Sequence, residues 1–473
     1  MRTHTKIICT IGPSVLTYKK ILELIKAGMN IARINMSHGS HKEHGKTIAL
    51  LKKAREETDT SLAIMLDTKG PEVRVGPVSG DQIFLEKGQQ LSILKQESNK
   101  INGAITLNPA HIVDDIPLGA QVLFDDGYVA SKVIEKRADE VIVKIENSGL
   151  IKSSKGVNIP NVDLSLPAVT EQDIKDIIFG CEQGVDIIAA SFIRSSDHIK
   201  IIRNLHAKQK AEHILLIAKI ESALGVKNFD SILKVSDGIM VARGDLGVEL
   251  PITTVPNHQK EMIFKCNHAF RPVVTATQML ESMIKNPRPT RAEVSDVANA
   301  IYDSTSAVML SGETAVGSYP IETVELMRST ILEAEKQFRY ADYFHNEVLR
   351  QTFEETSYAV ALAAVKTAYS SKAKALVTLT TSGFTTRLMS RFRPKIPIIA
   401  ITQKKEIFHQ LAFFWGVIPI LSDTSNIEQG MKVASQFLLK NKLAKKKDSV
   451  VMTSGVPFGV SGTTNMICVQ TVS

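Results

Sequence analysis

Short runs of aliphatic and β-branched residues recur along the first two thirds of the chain, separated by segments of helical period. They centre near Ile8 (TKIICTIG), Ile31 (MNIARIN), Ile64 (SLAIMLD), Ile188 (VDIIAASF), Leu216 (ILLIAKI), Ile239 (DGIMVA), Val274 (VVTAT) and Val308 (AVMLSG). Between them, stretches such as Tyr18–Ala27 (Ile21, Leu22, Leu24, Ile25) and Ile321–Glu335 repeat apolar residues every three to four positions, which predicts amphipathic helices. All intervals but one lie between 23 and 35 residues, room for a strand, a crossover helix and two loops. Eight such units predict an α/β chain built on a closed parallel (β/α)8 barrel. Its chemistry belongs at the C-terminal ends of the strands.

The exception is an interval of 124 residues between Ile64 and Ile188. Within it QIFLEKGQQLSIL, AQVLFDDGYVASKVIE and DEVIVKIE alternate apolar with polar residues and turn at Gly-Asp or Asp-Asp-Gly. This predicts a small, mostly antiparallel β domain over 70–167, inserted after the third strand where a lid would stand beside the site. The barrel then comprises 1–69 and 168–344. Beyond 345 the strand–helix alternation starts afresh (ALVTLT, IPIIAIT, VIPIL, SVVMTSG), which predicts a separate open α/β domain over 345–473.

Composition narrows the class. A chain of 473 residues, 44% apolar and 22% charged with a mean hydropathy of +0.01, is ordinary for a soluble globular protein. No run approaches the roughly 20 apolar residues of a membrane helix, and Ile7–Ile11 is too short for a signal-peptide core. Four cysteines without a Cys-x-x-Cys pair read as small hydrophobes, and a cytoplasmic location follows. The net charge of +8 is uneven. From His345 onward there are 16 Lys and Arg against 7 Asp and Glu, whereas the rest of the chain is nearly balanced. That excess reads as a solvated basic surface around Lys445–Lys447 or as a site for a small anion. The aromatic interleaving that a single-stranded nucleic acid needs is missing.

Strand alternation organises the candidate chemistry. Arg33, Asn35 and Ser37 share one direction at the end of the second strand, and Lys219 with Glu221 do so at the end of the fifth. Asp67 and Thr68, Arg243 and Asp245, Thr277, and Ser311 with Glu313 end four others. Charges entering an apolar barrel are costly unless paired or bound to an ion. Glu221 and Asp245 suit one hard divalent cation completed by water and substrate oxygens. Arg33, Arg74, Lys219 and Arg243 supply positive charge for a phosphate or carboxylate. The oxygens of Asn35, Ser37, Asp67 and Thr68 carry a single full negative charge, which suits a monovalent cation or plain hydrogen bonding. Positioning plus charge neutralisation is what phosphoryl transfer requires. The segment Gly39-SHKEH-Gly45-Lys46-Thr47 has five residues between its glycines where a P-loop has four, and it is set aside. In the last domain Ser382-Gly383-Phe384-Thr385-Thr386-Arg387 joins a strand to a helix N-terminus, a place for a phosphate.

These residues lie in runs that resemble the pyruvate kinase family over essentially the whole chain: TKIICTIGPS, NIARINMSHGSHKEH, MLDTKGPEVRVG, KGVNIP, KIES, DGIMVARGDLGVELP, ATQMLESM, PRPTRAEVSDVANAIYD and MLSGETAVGSYPIE. The resemblance implies transfer of the phosphoryl group of phosphoenolpyruvate to ADP, giving pyruvate and ATP at the end of glycolysis. It implies Mg2+ (or Mn2+) on Glu221 and Asp245, and K+ on Asn35, Ser37, Asp67 and Thr68, with Glu72 the residue type that accompanies potassium dependence and Val75 a departure from the usual threonine. Lys219 matches the lysine that stabilises the transferring phosphoryl group. Arg33, Arg243, Gly244, Asp245 and Thr277 surround the substrate, and Asn35, His38, Arg74 and Lys155 match nucleotide contacts. Thr277 and Ser311 are placed to hold a proton-donating water. A homotetramer regulated by a phosphorylated effector at Ser382, Thr385, Thr386 and Arg387 is also implied, with no nucleic-acid or membrane partner. Two rivals stand beside this reading: a magnesium-dependent barrel lyase or aldolase acting through a pyruvate enolate, and a nucleic-acid-binding protein using the basic C-terminal domain.

Overall fold

The computed structural model describes residues 2–96, 104–349, 355–424, 426–456 and 462–473. Eight parallel strands close into a barrel: β1 (Lys6–Thr10), β2 (Ile31–Asn35), β3 (Ala63–Asp67), β4 (Ile187–Ala190), β5 (Leu215–Ile220), β6 (Gly238–Ala242), β7 (Val273–Ala276) and β8 (Ala307–Leu310). Each contains one of the eight apolar runs. Their alternation divides two cores. Ile8, Met65, Ala189, Ile217, Met240, Val274 and Met309 fill the barrel interior. Cys9, Ile64, Leu66, Ile188, Leu216 and Ile239 face the helix ring. Because the strand period is two, the positions that continue the interior series at the top are Arg33 after Ile31, Asp67 after Met65, Ser191 after Ala189, and Lys219 after Ile217.

Helix ends follow local chemistry. Helix α1 (Tyr18–Ala27) is capped by Thr17, whose side chain accepts from Lys20 N, and it ends at Gly28 with φ 136°. Helix α2 (His41–Glu57) begins with a Ser40/Glu43 capping box, so Gly39–Thr47 is a helix start and not a phosphate loop. Helix α3 (Glu171–Glu182) begins with a Thr170/Asp173 box.

Between β3 and α3 stands a second closed barrel of seven short strands, beginning at Val73–Val75 and ending at Gly156–Asn158, with Gln82–Leu85 and Gly149–Lys152 paired beside it. The Asp125-Asp126-Gly127 turn takes three successive left-handed residues, at φ 50°, 55° and 84°. The C-terminal sheet orders β9 (Leu376–Leu379), β10 (Ile398–Thr402), β11 (Val417–Leu421), β12 (Ser449–Gly455) and β13 (Thr464–Thr471) as β11-β10-β9-β12-β13. Only β13 runs antiparallel to its neighbour. The PFGVS part of the SGVPFGVSGTTN segment lies outside the described residues. Phe392, Phe413 and Phe414 pack in the same buried cluster as the barrel interior, so the α/β domain closes the barrel's lower end. Cys9 and Cys266 are buried, Cys181 and Cys468 half-buried, and all four are free. Among the described residues no helix is long and apolar enough to cross a membrane.

Candidate functional site

The upper rim gathers polar groups from four consecutive barrel strands, charged from β2, β3 and β5 and a hydroxyl from β4. Asp67, fully buried at the end of β3, receives Arg33 Nε from β2 at 2.5 Å on one oxygen and Lys219 Nζ from β5 at 3.0 Å on the other. Arg33 Nη1 also donates to Thr10 Oγ1 at 2.9 Å. Lys219 Nζ donates further to Ser191 Oγ at 2.6 Å and lies 3.1 Å from Glu221 Oε1. Burial alone would lower the proton affinity of Lys219, but Asp67 and Glu221 outweigh it and hold the ammonium above the ordinary lysine range. Burial likewise works to raise Asp67, and the charges of Arg33 and Lys219 bring it below its usual value instead. The lysine at the rim is therefore a fixed cation.

Glu221 accepts the Phe192 N–H at 2.6 Å through its second oxygen. Asp245, in the first turn of helix α4 (Arg243–Glu249), has its pKa pushed up to about 7 by burial and by the facing Glu221 carboxylate. Among the described residues no group of three or more His, Cys, Asp or Glu side chains is placed to hold a metal by itself. Buried Glu221 and half-buried Asp245, two carboxylates that repel each other, are the donor set a hard divalent cation takes when water and substrate complete its shell. The β2–β3 register sets Asn35 opposite Asp67, and Asn35 Oδ1 accepts the Ser37 N–H at 3.2 Å. Thr68 accepts twice from Ser191, its hydroxyl oxygen from the Ser191 N–H and its carbonyl from Ser191 Oγ.

Thr277 stands in the left-handed region (φ 68°), and its hydroxyl accepts the Gly244 N–H at 2.8 Å. Arg243 differs from the sequence expectation. Strand β6 ends at Ala242 and the chain turns into α4 at Arg243, so alternation no longer sets its direction. Its guanidinium pairs with Asp296 at 2.7 Å and donates to Thr277 O at 2.9 Å, bracing the Thr277 turn from behind. Glu313 is buried and accepts the N–H groups of Ser311 and Leu280, which fixes the loop bearing Ser311.

Above Asp245 a cleft of about 590 Å3 runs between the rim and the small barrel. From the side of the small barrel it is lined by Arg74, Lys155, Asp125 and Asp126. Arg74 pairs with Glu72 and donates to Ser154 O, and Lys155 pairs with Asp125 at 2.8 Å. His38 is exposed on the loop after β2, its carbonyl accepting from His44 Nε2.

Ser191 is the rim residue that sequence reasoning missed. It lies two places after interior-facing Ala189, the parity that identifies Lys219 after Ile217. The loop expected to hold a phosphate is only partly so arranged. Helix α5 (Phe384–Arg391) starts after left-handed Gly383, and its first turn carries Thr385 and Thr386 inward. Their hydroxyls pair with Thr464 and Thr378, respectively. Arg387 lies over the Phe414 ring, in a crevice shared with Arg271.

Family models describe what this chain matches: "Pyruvate kinase, barrel domain" over residues 2–324 and "Pyruvate kinase, alpha/beta domain" over 358–470. The chain is 44% identical to the pyruvate kinase of Geobacillus stearothermophilus, covering 100% of this chain and 81% of that one. It is 46% identical to that of Clostridium acetobutylicum, covering 99% of both. A crystal structure of a pyruvate kinase from Cryptosporidium parvum superposes with a TM-score of 0.95 at 37% identity, covering 100% of this chain and 96% of that one.

Proposed function

The chain belongs to the pyruvate kinase family, a phosphotransferase family that converts phosphoenolpyruvate and ADP to pyruvate and ATP, and we propose that the barrel rim performs this reaction with the following division of roles. The observation that carries the assignment is the buried contact set of Lys219 with Asp67, Ser191 and Glu221. Arg33, oriented through Nε and Nη1, offers its remaining N–H groups to the substrate phosphate. Thr277, Gly244 and Asp245 surround the substrate carboxylate. The Lys219 ammonium faces the transferring phosphoryl group and the enolate oxygen left behind, where a preset charge costs no reorganisation as the reaction proceeds. A divalent cation on Glu221 and Asp245, Mg2+ or Mn2+, would supply further charge neutralisation there, and K+ would take the oxygens of Asn35, Ser37, Asp67 and Thr68. Arg74 and Lys155 hold nucleotide phosphates from the lid side, with Asn35 and His38 on the barrel side. A water held near Thr277 and Ser311 protonates the enolate carbon.

The same reading divides the chain into a barrel (1–69 and 168–344), a lid (70–167) and an effector domain (345–473), assembled as a cytoplasmic homotetramer. A phosphorylated effector binds at the start of α5, held by Ser382 and the helix's free N–H groups. The inward turn of Thr385 and Thr386 leaves their hydroxyls no part in that contact.

Lys219→Met tests the central assignment. The expected loss in kcat is about 10²–10³-fold, the scale of removing one preorganised donor, with KM for phosphoenolpyruvate changed far less. An intact kcat with a greatly raised KM would show that Lys219 binds only the ground state.

A further inference from the structure

The four residues after β4, Ser191-Phe192-Ile193-Arg194, touch both the reacting side of the rim and the two connections of the lid. On the rim side Ser191 Oγ accepts from Lys219 Nζ at 2.6 Å, and Phe192 N donates to Glu221 Oε2 at 2.6 Å. Ile193 N donates to Lys219 O at 3.3 Å. Phe192 holds φ 52°, a left-handed conformation unfavourable for an aromatic residue that persists only where the surroundings fix it.

On the lid side the outgoing chain passes Gly70, at φ 77°. A Cβ there would stand 2.7 Å from Ser191 Cβ and 2.8 Å from the Phe192 ring. Asp173 at the start of α3 accepts the Gly70 N–H at 2.9 Å and fixes this crossing. The returning chain is gripped by Arg194. Its Nη1 donates to Leu164 O at 3.3 Å, and its Nη2 to Leu166 O at 2.8 Å and Pro167 O at 3.1 Å. Asn228 Nδ2 donates to the Arg194 carbonyl at 2.8 Å, tying the loop to the segment after β5. The Asp163 charge acts on Arg194, but among the described residues no ion pair with it is formed, and both Nη groups are given to backbone carbonyls of the lid's return segment.

We infer that Arg194 is a positioning residue: by clasping the lid's return segment to the loop that bonds Lys219 and Glu221, it makes the placement of those two groups depend on the seating of the lid. A shift of the 164–167 segment draws on Arg194, and two residues earlier the Phe192 N–H moves against Glu221. Ser191 moves with it against Lys219. The mechanism uses neither Arg194 nor Phe192 otherwise. The inference rests on the roles of Lys219 and Glu221 given above.

The test compares Arg194→Met and Arg194→Lys in two assays on the full chain. One is steady-state turnover. The other is exchange of the pyruvate methyl hydrogens with D2O followed by NMR, in which a C–H bond breaks to leave the enolate and a C–D bond forms, with no nucleotide present. Loss of an outer-shell partner costs about 10–100-fold. Arg194→Met is therefore expected to lower kcat and the exchange rate by a common factor in that range, with KM for ADP changed much less. Arg194→Lys keeps the charge but cannot serve three carbonyls, so most of the loss persists; it also carries the test if Arg194→Met does not fold. Wild-type kcat and exchange, with only a raised KM for ADP or a lowered melting temperature, would overturn the inference. If Lys219→Met is itself near wild type, the underlying role of Lys219 fails instead. A strong Lys219→Met effect beside a silent Arg194→Met sinks the coupling alone.

Discussion

Lys219 Nζ lies 3.0 Å from Asp67 Oδ1, two groups 152 positions apart that meet because β3 and β5 flank β4 in one barrel. Asp67 serves two cations, and Arg33 on its other oxygen is as deeply placed as Lys219. Removing one partner of a buried pair leaves an uncompensated charge at a cost of about 3–5 kcal/mol. Asp67→Asn should therefore lower the melting temperature by several degrees as well as suppress turnover. Unchanged thermal stability would mean that water compensates the two cations and that the rim is wetter than its burial indicates.

Asp245 and Glu221 repel each other in a dry setting, which is why the Asp245 proton affinity rises. Asp245→Asn removes that repulsion together with half of the anionic donor set. The expected outcome is weaker Mg2+ or Mn2+ binding by isothermal titration and loss of most turnover, with the melting temperature in metal-free buffer unchanged or raised. Near-wild-type activity at sub-millimolar magnesium would remove Asp245 from the metal site.

Where backbone regularity persists, the sequence was a sound guide. Ile217 in the interior implies Lys219 at the rim, Met65 implies Asp67, and helix α1 has the expected limits because Thr17 and Gly28 mark its ends. Regularity ends at Arg243, where strand gives way to helix within one residue, and side-chain direction cannot be carried across that change. It ends again at Gly383, after which about 100° of rotation per residue takes Thr385 and Thr386 inside. Arg194 was illegible for a different reason. Its partners are carbonyls, which every residue possesses, so no residue type signals the contact.

In the effector site proposed above, the Gly383 N–H already donates to Thr380 Oγ1, which leaves the N–H groups of the first turn of α5, beside half-buried Ser382, to meet an anion. Ser382→Asp would place a carboxylate against those donors and oppose a second anion there. Wild-type protein should show a phosphoenolpyruvate saturation curve that becomes more hyperbolic with an activating sugar phosphate or nucleotide monophosphate, identified by thermal shift. A coupling of 1–3 kcal/mol corresponds to about 5–150-fold in apparent affinity. The Ser382→Asp curve should not respond. A normal response would place the effector elsewhere in the molecule.

Lys6, at the lower end of β1, is buried and donates to Val417 O of β11 at 2.7 Å, joining the barrel to the C-terminal sheet. Burial, followed by the repulsion of Arg2, lowers its pKa to about 7. In the unfolded chain the ordinary lysine value is about 10.4. Between these two values the unfolded state holds a proton that the folded state has released, so this group's contribution to stability rises with pH. Its unfavourable share is fully present below about pH 7 and is relieved progressively up to about pH 10. One pKa unit corresponds to about 1.4 kcal/mol, and over pH 7–9 the relief amounts to about 2 kcal/mol. Lys6→Met keeps the apolar stem and removes the titration. Unfolding followed at pH 7 and pH 9 should show the wild-type protein gaining stability relative to Lys6→Met by that amount, whatever other groups titrate in both. Parallel pH dependence in the two proteins would mean that Lys6 keeps its proton on folding, held by the Val417 carbonyl and by Glu335 more strongly than burial opposes it.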